Sequence, residues 1–417
     1  MVEDRISRLL SILTTEGDSF KLHDAAQKAM FHRENFTAFL EGRDRDVQPV
    51  TVEIVPSLEC NQRCPRCTYT QNQSKAKYHT SQRTMTTETF INIMEGLKSL
   101  PQTKSLIFTG GGEPLMHRLI IAFMNSAVSH FGYEIGLYTN GTLLNDFWIQ
   151  RIMEIAPAFV RVSLNAGTLE THAKVYGYNL EKKNYFEIVT RNIVSLAKAK
   201  ARLSSKTIVG IGIIISEKNY LELPEIADLM IRLSRESDGN IKYVAIRPEV
   251  CYFDEKLRVV KTQPNTDIFS QISDEIEKEV GEKVRPEGMD VLVNRAGFEH
   301  LVKPYTNTPN IANSWSASFD YDGLFYITSE HNGMQGFSMG DVRKESPGAI
   351  WQGETRGKLM ADMASGKIKT LPYFKLKTLN DMLLRIRTEL GVLTSDEVTQ
   401  LYQLFPLESV PEYVNFI

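Results

Sequence analysis

Between residues 50 and 250 six short apolar runs alternate with five stretches of helical spacing. The runs are VTVEIVPSLEC, SLIFTGGGEP, EIGLYTNG, FVRVSLNAG, TIVGIGIIIS and IKYVAIRPEV. Helices are expected between them, near 86–100, 117–130, 144–155, 183–201 and 221–234. Connections of this length join parallel strands, whereas antiparallel neighbours need only a tight turn. Runs that are apolar throughout fit a sheet covered by helices. The pattern therefore specifies an α/β fold built on a parallel sheet. In such folds the chemistry sits at the carboxyl ends of the strands.

The flanks read differently. Residues 1–48 are expected to form a helical extension, with helices near 4–14 and 20–42. After residue 255 the alternation stops, and residues 256–417 read as a smaller α+β domain. There SWSASFDYDGLFYITSE predicts a hairpin turning at Asp322–Gly323, with helices near 346–363 and 377–389. The central domain is thus placed at 49–255. A hydrophobic content of 42% is ample for a core. The net charge of −3 argues against a globally basic nucleic-acid surface, so a nucleic-acid partner is not expected. One local basic stretch, SKAKYHTSQR, lies at 74–83. No apolar run is long enough to span a bilayer, and the N-terminus is too polar for a signal peptide. The expectation is a cytoplasmic protein without a membrane partner.

Three of the four cysteines fall within LECNQRCPRCTY, as Cys60, Cys64 and Cys67 in a CxxxCxxC spacing. The fourth is Cys251. A disulfide is poorly suited to a cytoplasmic chain. A tetrahedral zinc site would need a fourth ligand, for which Cys251 and His79 are candidates. Three thiolates suit an iron–sulfur cluster better, since one iron is then open to an outside ligand. The position of the thiols, just past the first strand, favours the cluster.

These motifs resemble the radical S-adenosylmethionine superfamily, whose signature is CxxxCxxC after the first strand of a partial (β/α)6 TIM-like barrel. The resemblance implies one [4Fe-4S] cluster on Cys60, Cys64 and Cys67. It also implies S-adenosylmethionine as cofactor, cleaved reductively to a 5′-deoxyadenosyl radical that abstracts a substrate hydrogen. A flavodoxin or ferredoxin-type reductant is implied with it. GGGEP at 110–114 resembles the motif whose backbone, through Gly111 and Gly112, holds the amino group, with Glu113 partly a scaffold carboxylate. LYTNG at 137–141 places Asn140 toward the site. In VSLNAG at 162–167, Ser163 and Asn165 would reach the ribose or the carboxylate, which Lys174 or His172 would neutralise. VGIGIII at 209–215 resembles the segment that packs against adenine, and in IRP at 246–248 Arg247 would bind cofactor or substrate. One departure is Arg66, which stands where the family usually has an aromatic; its guanidinium would stack on the base instead.

Residues 317–351 resemble the SPASM/twitch extension of the same superfamily, but no cysteine follows Cys251. The domain is therefore read as a cluster-free scaffold or lid that carries no metal. Without an auxiliary cluster to accept an electron, a redox-neutral elimination or rearrangement is expected. The substrate is read as a polar small molecule, such as a sugar, an aminoglycoside or a nucleoside-like compound. One alternative is an epimerase in which Cys251 is the catalytic hydrogen donor. Another is a non-catalytic iron–sulfur protein for regulation or electron transfer, and a third is a zinc-stabilised RNA-binding module.

Overall fold

The computed structural model describes residues 2–15, 25–65, 67, 83–249, 271–302, 309–334, 336–365, 367, 376–404, 410 and 413–417. Its strands are β1 (Thr51–Ile54), β2 (Ser105–Phe108), β3 (Glu134–Thr139), β4 (Phe159–Ser163), β5 (Ile208–Ile215), β6 (Ile241–Pro248), β7 (Asp290–Val293), β8 (Ser316–Phe319), β9 (Leu324–Tyr326) and β10 (Ser338–Asp341). The six apolar runs of the sequence are β1 to β6. The chain divides into two compact units, Met1–Glu53 with Thr87–Leu106 and Thr306–Ile417, and Ile54–Thr86 with Ile107–Tyr305. The division runs through β1 and β2.

In the second unit β3, β4, β5, β6 and β7 pair side by side in chain order, all parallel. Helices Asp146–Ile155, Tyr185–Arg202 and Leu223–Glu236 form the crossovers that parallel pairing requires. Their starts are fixed locally: Asn145 and Asn184 each accept a bond from a first-turn amide, Trp148 N at 3.1 Å and Glu187 N at 3.0 Å. Along the strands Val160, Val162, Val209, Ile211, Ile213, Val244 and Ile246 are buried on the helix-covered face. Each such burial stabilises by roughly 1.5–3 kcal/mol. The alternate positions Tyr138, Arg161, Ser163, Gly212 and Ala245 are only half-buried on the other face. The result is an α/β fold with a partial TIM-like parallel sheet. β7 adds a strand to the six expected; its apolar run, Val291–Val293, is three residues long, shorter than the runs that read as strands.

In the first unit helix Val2–Thr15 packs with helices Lys377–Leu390 and Ser395–Leu404. Ile6, Leu9, Ile12, Leu383, Ile386 and Leu401 form part of one buried cluster there. The ion pair Arg5–Glu397 at 2.7 Å crosses the same interface. β8 and β9 form the antiparallel hairpin expected around Asp322–Gly323, and β10 pairs antiparallel with β9. Gly323 takes φ +87°, the left-handed conformation the turn needs. This is the small α+β component of the C-terminal region. Among the described residues no helix is long and apolar enough to cross a membrane.

Candidate active site

The loop that leaves β1 carries the thiols and is strapped to the loop that leaves β2. Gly112 N donates to Ser57 O and Glu113 N to Glu59 O, each at 2.8 Å. A Cβ on Gly112 would lie 2.0 Å from Glu59 O, so only glycine lets the two chains approach this closely. Within the loop Gln62 N donates to Cys60 Sγ at 3.5 Å, and Cys67 N to Cys64 O at 3.1 Å. From the other side, helix Leu169–Tyr176 ends at Gly177, whose φ is +70°. A Cβ there would stand 2.9 Å from Pro65 Cδ and 3.1 Å from Arg63 O. The helix end is thus seated against the middle of the thiol loop.

Glu113 ties three strand ends together. Its carboxylate accepts from Thr139 Oγ1 at 2.6 Å, Asn140 N at 2.7 Å and Leu115 N at 3.3 Å. Burial pushes its carboxyl up to about 7, against the pull of these donors. Asn140, held by that bond, donates Nδ2 to Asn61 Oδ1 at 2.9 Å and lies 3.9 Å from Cys60 Sγ. Thr142 closes the network, its Oγ1 donating to Asn140 Oδ1 and accepting from Asn61 Nδ2, both at 2.6 Å. The ends of β2 and β3 therefore fix where Cys60 points.

The three thiols are free. For the metal-free side chains, burial pushes the Cys64 thiol up to about 12, and the neighbouring Cys67 and Cys60 add to it. Burial also raises Cys60. A bound metal reverses this, since a coordinating thiol is deprotonated outright. Among the described residues no group of three His, Cys, Asp or Glu could hold a single metal ion. A zinc ion needs its ligands to converge on one point, whereas a cluster spreads its thiolates over separate irons. Three neighbouring soft donors on one loop, none of them in a disulfide, fit the cluster.

The remaining candidates are dispersed in role. Ser163, at the end of β4, is half-buried, and its carbonyl accepts from Tyr176 Oη at 3.1 Å. Asn165 is buried, its Oδ1 accepting from Ile214 N at 2.9 Å. Lys174 is exposed, and its carbonyl accepts from Lys218 Nζ at 3.0 Å. Arg247 is exposed near the end of β6. His172 does not offer a cation: it is fully buried against Tyr176, Tyr178 and Phe186, and burial lowers it to about 4. Arg66, Cys251 and His79 lie outside the described residues.

Sequence reasoning passed over Asn61, Thr139, Lys218 and Asn219. Asn219 is buried after β5 and donates Nδ2 to Asn165 O at 2.9 Å and Ile214 O at 2.7 Å. Its Oδ1 accepts from Ser216 N at 2.7 Å. This turn presents the neighbouring Lys218, whose charge favours the Cys64 thiolate. A Ser-x-x-Asn stretch at a strand end was the available signal.

The fold and site together define a parallel α/β sheet protein with three free thiols on the loop after its first strand. Residues 54–246 match the family model described as the Radical SAM superfamily, so this region of the chain is a domain of that superfamily. A Pyrococcus furiosus protein, the tungsten-containing aldehyde ferredoxin oxidoreductase cofactor-modifying protein, is 25% identical over 191 residues, which are 46% of this chain. The match spans 50% of that relative, so the chain covers about half its length. The fold is similar to Streptococcus suis SuiB bound to S-adenosylmethionine, with TM-score 0.54, 12% identity, and coverage of 76% of this chain and 68% of that one. It is also similar to anSMEcpe with bound AdoMet, with TM-score 0.55, 13% identity, and coverage of 85% and 99%. At these identities the likeness is one of fold.

Proposed function

We propose that this protein is a radical S-adenosylmethionine enzyme that acts on a polar small molecule in a redox-neutral elimination or rearrangement. The observation that carries the reading is the convergence at Asn140: Cys60 Sγ, Asn61 and the buried Glu113 carboxylate all meet it. A thiol loop braced this way is tied to the neighbouring strand ends by the chain's own hydrogen bonds. A [4Fe-4S] cluster on Cys60, Cys64 and Cys67 would supply the electron that cleaves S-adenosylmethionine to the 5′-deoxyadenosyl radical.

The rest falls to the chain. The backbone of Gly111 and Gly112 offers polar groups at the end of β2, close to the thiol loop. Ser163, Asn165 and Arg247 stand at strand ends for the ribose, the carboxylate or the substrate, and Arg66 for the base. Of the two lysines joined through the Lys174 carbonyl, Lys218 brings its charge nearer the thiols. We assign residues 256–417 no metal, because they hold no cysteine and only His300 and His331 as histidines. The Pyrococcus furiosus relative is described as cofactor-modifying, which supports a small-molecule target such as a sugar, an aminoglycoside or a nucleoside-like compound. A flavodoxin or ferredoxin-type reductant and a cytoplasmic setting belong to the same reading.

Anaerobic reconstitution tests it. Iron and sulfide should enter in near-equal amounts, and reduced protein should convert S-adenosylmethionine to methionine and 5′-deoxyadenosine. Alanine at Cys60, Cys64 or Cys67 should each remove the iron, while Cys251→Ala should not. Zinc as the only metal, or bound nucleotide with no 5′-deoxyadenosine, overturns the proposal. A product two hydrogens short of its substrate overturns the redox-neutral part alone.

A further inference from the structure

We propose that Arg161 is a binding residue for an oxyanion of the substrate, a carboxylate or a phosphate, on the open face of the sheet beneath the thiol loop. This rests on the radical-enzyme reading of that face and narrows its substrate to an anionic small molecule.

Arg161 lies in the middle of β4, in register with Tyr138 on β3 and Gly210 on β5. Its neighbours Val160 and Val162 are buried under the helices, so its own side chain emerges on the opposite face. There the guanidinium carbon sits 3.6 Å from the centre of the Tyr138 ring. Its Cδ and Nε lie 3.4 Å from where a Cβ on Gly212 would stand. Gly212 is the register partner of Ser163, so the side chain leans toward the carboxyl ends of the strands.

Two residues beyond Tyr138 is Asn140, the group that touches Asn61 and approaches Cys60. Two residues of strand span about 6.5 Å. A molecule whose anion rested on Arg161 would therefore extend toward the thiol loop over roughly the length of a small metabolite.

The guanidinium has charge to spend. Among the described residues it has no hydrogen-bond acceptor and no carboxylate within ion-pair distance, although it is half-buried. Half-buried charges are normally paired, because desolvation is otherwise uncompensated. The chain also shows what a purely structural stacked arginine looks like. Arg356 sits 4.0 Å over Trp351 and gives its Nη groups to Trp351 O, Val47 O and Ser314 Oγ at 3.2, 3.3 and 3.2 Å. Arg387, over Phe39, donates to Phe39 O and Asp44 Oδ1 at 2.8 and 2.7 Å. Arg161 has the same kind of stack and, among the described residues, none of the acceptors. With one face on an aromatic ring, the planar fork keeps its edge free, which is the geometry that pairs with a carboxylate or phosphate.

Full-length reconstituted protein is titrated with malonate and, separately, with inorganic phosphate, at constant ionic strength. Binding is read by calorimetry in wild type, Arg161→Gln and, as a surface control, Arg151→Gln. At least one anion should bind wild type and the control alike and lose tenfold or more in affinity in Arg161→Gln; the tighter anion names the group. A second measurement needs no variant. Phenylglyoxal labelling of wild type, mapped by mass spectrometry, should modify Arg161, and the same anion should protect it. Absence of binding by both anions, equal binding in Arg161→Gln, or labelling of Arg161 that neither anion slows overturns the proposal. Cleavage of S-adenosylmethionine by wild type is followed in parallel. Its absence with anion binding intact would defeat the radical-enzyme reading and spare the subsite; its presence without anion binding would do the reverse.

Discussion

Replacing His172 with phenylalanine should make the barrel unit more resistant to acid. The imidazole is fully buried. Its ring centre lies 4.3 Å from that of Tyr176, and those of Phe186 and Tyr178 are at 5.5 and 5.6 Å, edge-on. Nδ1 meets Tyr178 Oη at 2.8 Å, while Nε2 has no partner among the described residues. Burial lowers the group to about 4 from its ordinary value of 6.5. The unfolded chain therefore takes up a proton that the folded one refuses. Stability from this group is fully present above pH 6.5 and is lost as pH falls from there toward 4. The loss is close to nothing at pH 7.5 and about 2 kcal/mol at pH 5.

Phenylalanine keeps the aromatic contacts and cannot titrate. It gives up the Tyr178 bond, worth about 1 kcal/mol, but removes the unpaired buried Nε2, whose cost is of similar size or larger. At pH 7.5 the variant should lie within about 1 kcal/mol of wild type. At pH 5 it should be ahead by about 2 kcal/mol more than at pH 7.5. The assay is urea unfolding followed by pulsed hydrogen exchange of peptides from helices Leu169–Tyr176 and Tyr185–Arg202, which reads this unit alone. A difference between the two pH values below about 0.5 kcal/mol would refute the reasoning, because His172 would then titrate as freely in the fold as in the unfolded chain.

Two further outcomes follow from the buried network. Asn219→Ala strands Ser216 N and the carbonyls of Asn165 and Ile214, and should cost about 2–4 kcal/mol in the same assay; a loss under about 0.5 kcal/mol would remove Asn219 as the clamp between β4 and β5. Glu113→Gln sets an amide N–H against a donor where both carboxylate oxygens had been acceptors, and should cost about 1–3 kcal/mol, with faster hydrogen exchange at the Asn140 and Leu115 amides. Unchanged exchange at both would mean the carboxylate does not brace the strand ends.

The site was unevenly legible. The resemblance gives the GGGEP glycines to a close approach between backbone and the cofactor's amino group; the close approach the structure shows is Gly112 against Glu59 O. Glu113 was read as partly scaffold, and its three bonds are of that kind. The resemblance assigns the cofactor's carboxylate to Lys174 or His172, both on the helix after β4. His172 turns into an aromatic cage and stays neutral, Lys174 is exposed, and Lys218, which no motif marked, comes from the next strand's turn with a charge that favours the Cys64 thiolate. A helix sequence shows which residues share a face, but not which neighbour that face will meet.

What the sequence determined by itself is local. Strand runs, crossover helices and three cysteines within twelve residues are properties of short windows, and they were enough for the fold class and for the place of the thiol loop after β1. What only the tertiary structure decided is which distant polar groups meet. Glu113 finds Asn140 across 27 residues and Asn165 finds Asn219 across 54. Arg161 finds Tyr138 rather than a carboxylate. These meetings depend on strand register, and the side-chain period of a strand is two. A slip of one residue in β4 would turn Arg161 under the helices and bring Val162 to the open face, and no short window of sequence carries that register.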